Sequence, residues 1–163
     1  MKHLSGEEER KIIGGMFKAA QVAKESTCQQ AKYGAVLVKD SEVIGQGFNS
    51  PPSNKESLRR CGISKDSYHK KVSDKTCCIH AEQRAILNGL VLNPRKVKNS
   101  TLFIGKTDAT GIPLKAGAPY CTICSKLALE VGIKDIVLWQ VNGLYVYDAE
   151  EYNSLSYAYK ETI

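Results

Sequence analysis

Three side chains of this sequence are of the types that bind transition metals. Cys121 and Cys124 are three residues apart, and His80 lies well before them. On a helical turn this spacing puts both sulfurs on one side, where they can share one tetrahedral ion. A helix start would also lower the pKa of the two thiols and stabilise their thiolates. With His80 as a third ligand, the fourth position stays open for water, as in a catalytic zinc site.

Glu82 follows His80 by two residues, so the two side chains leave the backbone in different directions. We therefore expect Glu82 to move protons to and from a zinc-activated water rather than to bind the metal. Each of these residues also has an interpretation as a purely structural residue. Cys121 and Cys124 could be half of a closed zinc ribbon, His80 a core histidine, and Glu82 an ordinary acid of a first helical turn.

The pattern of apolar residues predicts the elements that position these side chains. The predicted helices cover residues 7–28, the stretch from His80 to Asn93, a short segment from Cys121 to Gly132, and a last segment from Asp148 toward Lys160. The predicted strands cover residues 35–39 and 42–49, joined as a hairpin, then residues 101–105, 134–139 and 141–147. The stretch 53–76 has neither period and is predicted to be a long connection.

This order predicts a single α/β domain over residues 1–163, a three-layer α/β/α sandwich with a mixed sheet of about five strands. Helices would cover both faces of the sheet. Right-handed crossovers through the two central helices would make the strands that they join parallel. Both helices would then begin at the same edge of the sheet, which would bring His80 close to the two cysteines.

Composition excludes several classes of protein. Apolar residues make up 42% and charged residues 25% of the 163 residues, which argues against disorder and collagen. No run approaches the roughly 18 apolar residues of a membrane span. Residues 1–10 are polar and carry no signal-like apolar region, so we expect a cytoplasmic protein with no membrane partner.

The net charge of +6 favours an anionic partner. Seven basic and only three acidic side chains lie between Pro51 and Thr76. This segment is either a loop kept soluble by its charge or a phosphate-binding segment. The candidates for a phosphate contact are Arg59, Arg60, Lys65, Lys70 and Lys71.

Four more cysteines accompany the pair at 121 and 124. A reducing compartment favours metal binding, catalysis or simple burial over disulfide formation. A second metal could be held by residues from the set Cys28, Cys61, His69, Cys77 and Cys78. The competing interpretation treats these cysteines as small buried apolar side chains.

Several motifs together resemble the zinc-dependent cytidine and deoxycytidylate deaminase superfamily. They are the His80-Ala81-Glu82 triplet, the Cys-x-x-Cys pair shortly after Pro119, and residues 43–49, which end in Asn49. The chain looks most like the deoxycytidylate deaminases. The resemblance implies hydrolytic deamination of a cytosine nucleotide at one catalytic zinc, with Glu82 moving the protons, and assembly into a homo-oligomer. It also implies that Asn49 contacts the sugar. By their positions in the sequence, we expect the Ala81 N–H and a carbonyl near Pro119 or Tyr120 to contact the base.

Three departures from the family pattern leave the substrate open. Tyr120 separates Pro119 from Cys121, the loop 106–119 is longer than usual, and Arg84 stands where many deoxycytidylate deaminases have asparagine. Deaminases of another small base or nucleoside (cytidine, guanine or adenosine) and of nucleic acid therefore remain alternatives. A zinc-stabilised binding module without catalytic activity is a third, in which Glu82 would be dispensable.

Overall fold

The computed structural model describes residues 1–160 and contains four helices and seven strands within them. The helices are α1 (Gly6–Ala23), α2 (Ala81–Leu92), α3 (Thr122–Glu130) and α4 (Ala149–Tyr157). The strands are β1 (Lys2–Leu4), β2 (Lys32–Lys39), β3 (Glu42–Phe48), β4 (Thr101–Thr107), β5 (Pro113–Leu114), β6 (Asp135–Gln140) and β7 (Gly143–Asp148). No helix within this part of the chain is long and apolar enough to cross a membrane.

The strands form one mixed sheet in the order β1-β7-β6-β4-β2-β3, with β5 paired to β4. Strands β4 and β6 are parallel, with Leu102 opposite Ile136, and α3 connects them. Strand β2 lies antiparallel between β3 and β4, so β3 and β4 run in the same direction and are connected through α2. The predicted direction of the strands joined by the two central helices is thus confirmed.

The sheet is covered on both faces, which confirms the three-layer architecture. Each face of the sheet packs against its own hydrophobic core. Successive residues of β2 contribute to different cores, since neighbouring side chains of a strand point to opposite faces. Val36 packs with Met16 and Ala19 of α1. Leu37 packs on the other face in the larger core, to which α2, α3 and α4 contribute.

Two glycines let α2 lie directly on β3. A Cβ atom at Gly45 would lie 2.4 Å from the carbonyl oxygen of Ala85, and one at Gly47 would lie 2.4 Å from Cβ of Arg84. Only a residue without a side chain permits such close approach. The start of α2, which carries His80 and Glu82, is therefore set by backbone packing against the sheet.

The structure departs from the predicted elements at several ends. Helix α1 stops at Ala23 rather than residue 28, and beyond it the Ser26 hydroxyl accepts the backbone N–H of Cys28 in a local turn that competes with helix. Strands β1 and β5 were not predicted, since two or three residues show no alternation. Helix α4 ends at Tyr157, and Asp148 caps its start as predicted, accepting the N–H groups of Glu150 and Glu151.

The long connection between β3 and α2 is confirmed as irregular. It contains three single-turn 3-10 helices, Pro52–Asn54, Glu56–Leu58 and Lys65–Ser67. Its beginning is fixed by Arg84 of α2, whose guanidinium donates to the side-chain oxygen of Asn54 at 2.7 Å and to the carbonyl oxygen of Pro51 at 2.8 Å.

Candidate active site

The starts of α2 and α3 meet at one edge of the sheet. His80 is the N-cap residue of α2, and Cys121 is the N-cap residue of α3. Strands β3 and β4 run in the same direction; α2 follows β3, and α3 follows β4 and the short β5, so both helices begin at the same edge of the sheet. This topology brings together side chains that are far apart in sequence.

His80, Cys121 and Cys124 form one compact donor group. The Nδ1 atom of His80 lies 3.2 Å from Sγ of Cys121 and 3.3 Å from Sγ of Cys124. One donor atom from each of the three residues lies within 4.8 Å of the others. Such separations suit a tetrahedral zinc ion, which binds sulfur at about 2.3 Å and imidazole nitrogen at about 2.0 Å. Two thiolates and an imidazole are also a donor set that zinc prefers, so the residues present fit this metal.

Hydrogen bonds within the donor group shift the pKa values of its three side chains. Hydrogen bonds from the Cys124 thiol and from His80 lower the pKa of Cys121 to about 4. The hydrogen bond with Cys121 in turn raises the pKa of His80 to about 9. The pKa of Cys124 is raised, because its thiol donates to Cys121 and is buried. These shifts favour negative charge on Cys121 next to a positively charged His80, and a divalent ion would replace the remaining protons of the group.

Glu82 lies beside this group on the first turn of α2. Its side chain is buried, and burial raises the pKa of its carboxyl group, while the charge of His80 opposes that rise. It belongs to neither of the two metal-binding groups found in the described residues. A buried carboxyl group with a raised pKa next to a metal site is suited to accept and return a proton.

The donor group opens into a cavity of about 270 Å³. Its lining includes His80, Ala81, Glu82 and Asn49. The main chain of Ala81 is the first position of α2, where a helix has backbone N–H groups without intrahelical partners. Tyr120 and Ala116, Gly117 and Ala118 of the loop after β5 also line the cavity, whereas Pro119 is not among its lining residues.

Asn49 is buried at the end of β3, and its side chain forms hydrogen bonds to the main chain of a neighbouring segment. Its Oδ1 accepts the backbone N–H of Tyr33 at 2.8 Å, and its Nδ2 donates to the carbonyl oxygen of Ala31 at 2.8 Å. The side chain thus joins the end of β3 to the first residues of β2 and to the residue before β2. An amide nitrogen carries two hydrogens, so one remains for a ligand in the cavity.

The basic candidates divide into two groups. Arg60 and Lys65 line the cavity, and so does Lys75, which sequence reasoning did not single out for phosphate binding. Arg59 does not line it, because its guanidinium is held by Glu56 and by the carbonyl oxygen of Thr27 at 2.9 Å. The exposed residues Lys70 and Lys71 do not line it either.

A second group of sulfurs lies in the same region. Sγ of Cys61, Cys77 and Cys78 lie within 4.8 Å of one another, and Cys28 lines the cavity with them. His69 and Cys28 both lie outside this group of three, so their part in a second metal site stays a prediction. His69 is exposed in the long connection, where its Nδ1 accepts the backbone N–H of Lys71 at 3.2 Å.

Sequence reasoning missed two of the three tyrosines that line the cavity and named Tyr120 only for its main chain. Tyr33, Tyr120 and Tyr152 line it, from β2, the start of α3 and α4. Burial raises the pKa of Tyr120 and of Tyr152, so both hydroxyl groups stay protonated and can donate. The motif spacing carried no signal for Tyr33 and Tyr152, because neither lies in the motifs around the metal ligands.

A three-layer sandwich with a histidine and two cysteines at adjoining helix starts, next to a buried glutamate, defines a zinc-dependent deaminase fold. Comparison with known proteins agrees with this. Residues 10–140 match the model of the cytidine and deoxycytidylate deaminase zinc-binding region. The chain therefore belongs to this family.

Two curated relatives are similar in sequence. Deoxycytidylate deaminase of Schizosaccharomyces pombe is 31% identical over 127 residues, covering 75% of this chain and 34% of the yeast protein. The deoxycytidylate deaminase of Mycobacterium phage D29 is 28% identical over 125 residues, covering 73% of this chain and 86% of the phage protein. The chain thus spans about a third of the yeast relative and most of the phage relative.

A solved structure confirms the fold. The apo dCMP deaminase of cyanophage S-TIM5 superposes with a TM-score of 0.52 at 22% identity, covering 78% of this chain and 80% of the phage chain.

Proposed function

We propose that this protein catalyses the hydrolytic deamination of deoxycytidine monophosphate to deoxyuridine monophosphate, with release of ammonia. The observation that carries the proposal is the buried Glu82 beside the His80, Cys121 and Cys124 group, on the wall of a cavity that also exposes basic side chains. The two curated relatives named deoxycytidylate deaminase support the choice of substrate.

His80, Cys121 and Cys124 would hold the zinc ion. When bound, zinc supplies a Lewis acid that makes water nucleophilic near neutral pH. Three protein ligands leave the fourth position of a tetrahedral zinc ion for a solvent molecule, since Glu82 does not belong to their group in the described residues.

Glu82 moves the protons of the reaction. Its carboxylate takes one proton from the attacking water and delivers it to ring nitrogen N3, while the water oxygen forms a bond to C4. Glu82 then takes the proton of the hydroxyl group on C4 and delivers it to the amino nitrogen. The C4–N bond breaks, ammonia leaves, and C4 keeps the oxygen as a carbonyl. One buried carboxyl group serves both transfers because burial raises its pKa.

The remaining contacts position the nucleotide. The Ala81 N–H and a carbonyl of the loop at Ala116 to Tyr120 would bind the base, and the free Nδ2 hydrogen of Asn49 would bind the sugar hydroxyl. Arg60, Lys65 and Lys75 would face the 5′-phosphate, since they line the same cavity. Charged hydrogen bonds of this kind favour a nucleotide over a nucleoside.

Ammonia release from a panel of substrates tests the proposal. The panel contains dCMP, deoxycytidine, cytidine, CMP, cytosine, guanine, adenosine and a single-stranded oligonucleotide. We expect the highest kcat/KM for dCMP, and at least tenfold less for deoxycytidine. Turnover of guanine, adenosine or the oligonucleotide in preference to dCMP would contradict the proposal, as would no ammonia from any of them by the zinc-loaded protein.

We further propose that the chain forms a homo-oligomer and works in the cytoplasm. Leu87, Val91 and Leu92 at the end of α2 are exposed apolar side chains, which support a contact between copies. All six cysteines, each within the described residues, are free thiols, which supports a reducing compartment. Light scattering coupled to size-exclusion chromatography measures the first property, and a mass equal to one chain would contradict it.

A further inference from the structure

Tyr120 presents an aromatic ring to the active-site cavity, directly beside the metal-binding group. It precedes the ligand Cys121 in the sequence, and its side chain lines the cavity. The residue is 52% exposed, although it belongs to the wall of a concave site. An aromatic surface that the fold leaves uncovered inside a cavity is available to a ligand.

The loop before Tyr120 leaves this ring accessible. Ala116, Gly117 and Ala118 line the cavity next to it with one methyl group or none. A Cβ atom at Gly117 would have no neighbour within 4 Å, so there is open space beside this stretch. The main chain of the loop is nevertheless fixed to the sheet, since the Ala116 N–H donates to the carbonyl oxygen of Trp139 at 2.7 Å.

A second tyrosine packs against Tyr120 from outside the cavity. The ring centroids of Tyr120 and Tyr159 lie 5.7 Å apart, and their planes are inclined by 53°, a favourable arrangement for an aromatic pair. Tyr159 follows the end of α4 at Tyr157. It is not among the lining residues of the cavity, whereas Tyr120 is. Tyr120 therefore lies between Tyr159 and the cavity.

Helices α3 and α4 fix the two tyrosines relative to the metal ligands. The Ser125 hydroxyl of α3 donates to Oδ1 of Asn153 of α4 at 2.8 Å. Tyr152 of α4 is buried in the same hydrophobic core as Ala128 of α3. The aromatic pair is thus built on the two helices that also set the position of Cys121, the N-cap residue of α3.

We infer that the base of the substrate stacks on Tyr120 and that Tyr159 is a positioning residue, which holds the Tyr120 ring in place. This inference rests on the proposed function. A base that reacts at the metal group lies with its amine-bearing carbon within about 3–3.5 Å of the attacking oxygen, and Tyr120 is next to a metal ligand in sequence. Flat heterocycles stack favourably on aromatic side chains. Arg60 acts on the phosphate, whereas Tyr120 acts on the part that nucleotide and nucleoside share.

Binding of the product dUMP to the zinc-loaded protein tests the stacking without turnover. Calorimetry should show that Tyr120→Leu weakens binding by roughly five- to a hundredfold, the range for loss of one base–aromatic stack. Tyr120→Phe keeps the ring and should stay within about twofold of the wild type. Both variants should contain as much zinc as the wild type. Wild-type affinity in zinc-loaded Tyr120→Leu would overturn the stacking.

Variants of Tyr159 keep the test decisive if Tyr120→Leu loses zinc, because Tyr159 is far from the ligands in sequence. Tyr159→Ala should weaken dUMP binding and raise KM for dCMP and deoxycytidine equally, by about two- to tenfold, while kcat changes less than about twofold. Tyr159→Phe should restore the wild-type values. Tyr157→Ala is the matched control, since that ring is 64% exposed and does not line the cavity. Equal effects of Tyr157→Ala and Tyr159→Ala, or a change of KM confined to dCMP, would overturn the positioning role.

The double variant shows whether Tyr159 acts through Tyr120. In a Tyr120→Leu background, Tyr159→Ala should add no further loss of dUMP affinity, and full additivity would overturn the positioning role. Turnover of dCMP with unchanged KM in both single variants would overturn the inference and leave the proposed function intact. Binding of dUMP by a wild type that does not turn over dCMP would overturn the proposed function, and the binding constants of the variants would still decide the stacking. Neither binding nor turnover would overturn both.

Discussion

The Ser26 hydroxyl lies 2.5 Å from Oδ1 of Asn49 and 2.7 Å from the carbonyl oxygen of the same residue. Both side chains are buried, so the single hydrogen of the hydroxyl group serves two acceptors that water does not reach. The contact locks the Asn49 amide in the orientation that leaves its Nδ2 facing Ala31 and the cavity.

Ser26→Ala should therefore weaken the fold and the binding of substrate. A buried acceptor that loses its donor costs about 1–3 kcal/mol. We expect the free energy of unfolding in urea to fall by that amount, because the carbonyl oxygen of Asn49 loses its donor, and KM for the substrate to rise because the Asn49 amide loses one of the three hydrogen bonds that orient it. Ser154→Ala is the control, since that hydroxyl bonds to Glu150 on the exposed side of α4 and should change stability by less than about 0.5 kcal/mol. Equal unfolding curves for Ser26→Ala and the wild type would contradict this.

Glu82→Gln should abolish most of the ammonia release while keeping the metal. An amide of the same shape cannot take up and return protons, and a positioned acid–base group contributes about 10²–10⁴ in rate. We expect kcat to fall within that range, with zinc content equal to that of the wild type. Glu130→Gln, an exposed change on α3, should leave kcat unchanged. Unaltered kcat in Glu82→Gln would assign the protons to another group and favour the non-enzymatic interpretation.

The same substitution should stabilise the metal-free protein in a pH-dependent manner. Burial raises the pKa of Glu82 in the folded state above its unfolded value. The stability that this group contributes is complete below the unfolded pKa and is lost as pH rises through the folded pKa. After zinc is chelated, Glu82→Gln should thus unfold at a higher urea concentration than the wild type at pH 7, and the difference should shrink toward pH 4. If the difference between the two proteins stayed constant from pH 4 to pH 7, burial of the Glu82 charge would not be the cause of the added stability.

Arg60→Ala should reduce the discrimination between nucleotide and nucleoside. A hydrogen bond to a charged group contributes about 1.5–3 kcal/mol, which corresponds to roughly a ten- to hundredfold change. We expect kcat/KM for dCMP to fall by that factor and the value for deoxycytidine to stay within about twofold. Lys70→Ala removes a neighbouring positive charge outside the cavity and serves as the control. An equal effect of the two variants would mean that net charge, rather than a contact by Arg60, attracts the phosphate.

Local spacing was sufficient to predict much of the fold and the metal ligands. The three-residue step from Cys121 to Cys124 and the His80-Ala81-Glu82 triplet act within one helical turn, so their geometry follows from the helix itself. The order of helices and strands then brought the two helix starts to one edge of the sheet. Such predictions depend on short distances along the chain and on the handedness of crossovers.

Contacts that depend on the irregular connection could not be predicted in this way. His69 was grouped with the cysteines because it lies between Cys61 and Cys77 in sequence, yet the turn at Lys71 leaves it exposed. Arg59 and Arg60 are neighbours of the same type, but only Arg60 lines the cavity, because Glu56 lies one 3-10 turn before Arg59 and pairs with it. A segment without periodicity carries no pattern that says which way a side chain points.

Because α2 packs closely on Gly45 and Gly47, the position of the metal ligands and the choice of substrate can change independently in evolution. The ligands lie at helix starts that are anchored to the sheet, whereas the segments on either side of the cavity mouth, 51–79 and 108–120, contain only single-turn 3-10 helices and the two-residue strand β5. Insertions, deletions or substitutions in those two segments would alter which molecules enter the cavity. The metal ligands and Glu82 would keep their positions. A chain built in this way is a ready starting point for diversification toward new amine-bearing rings.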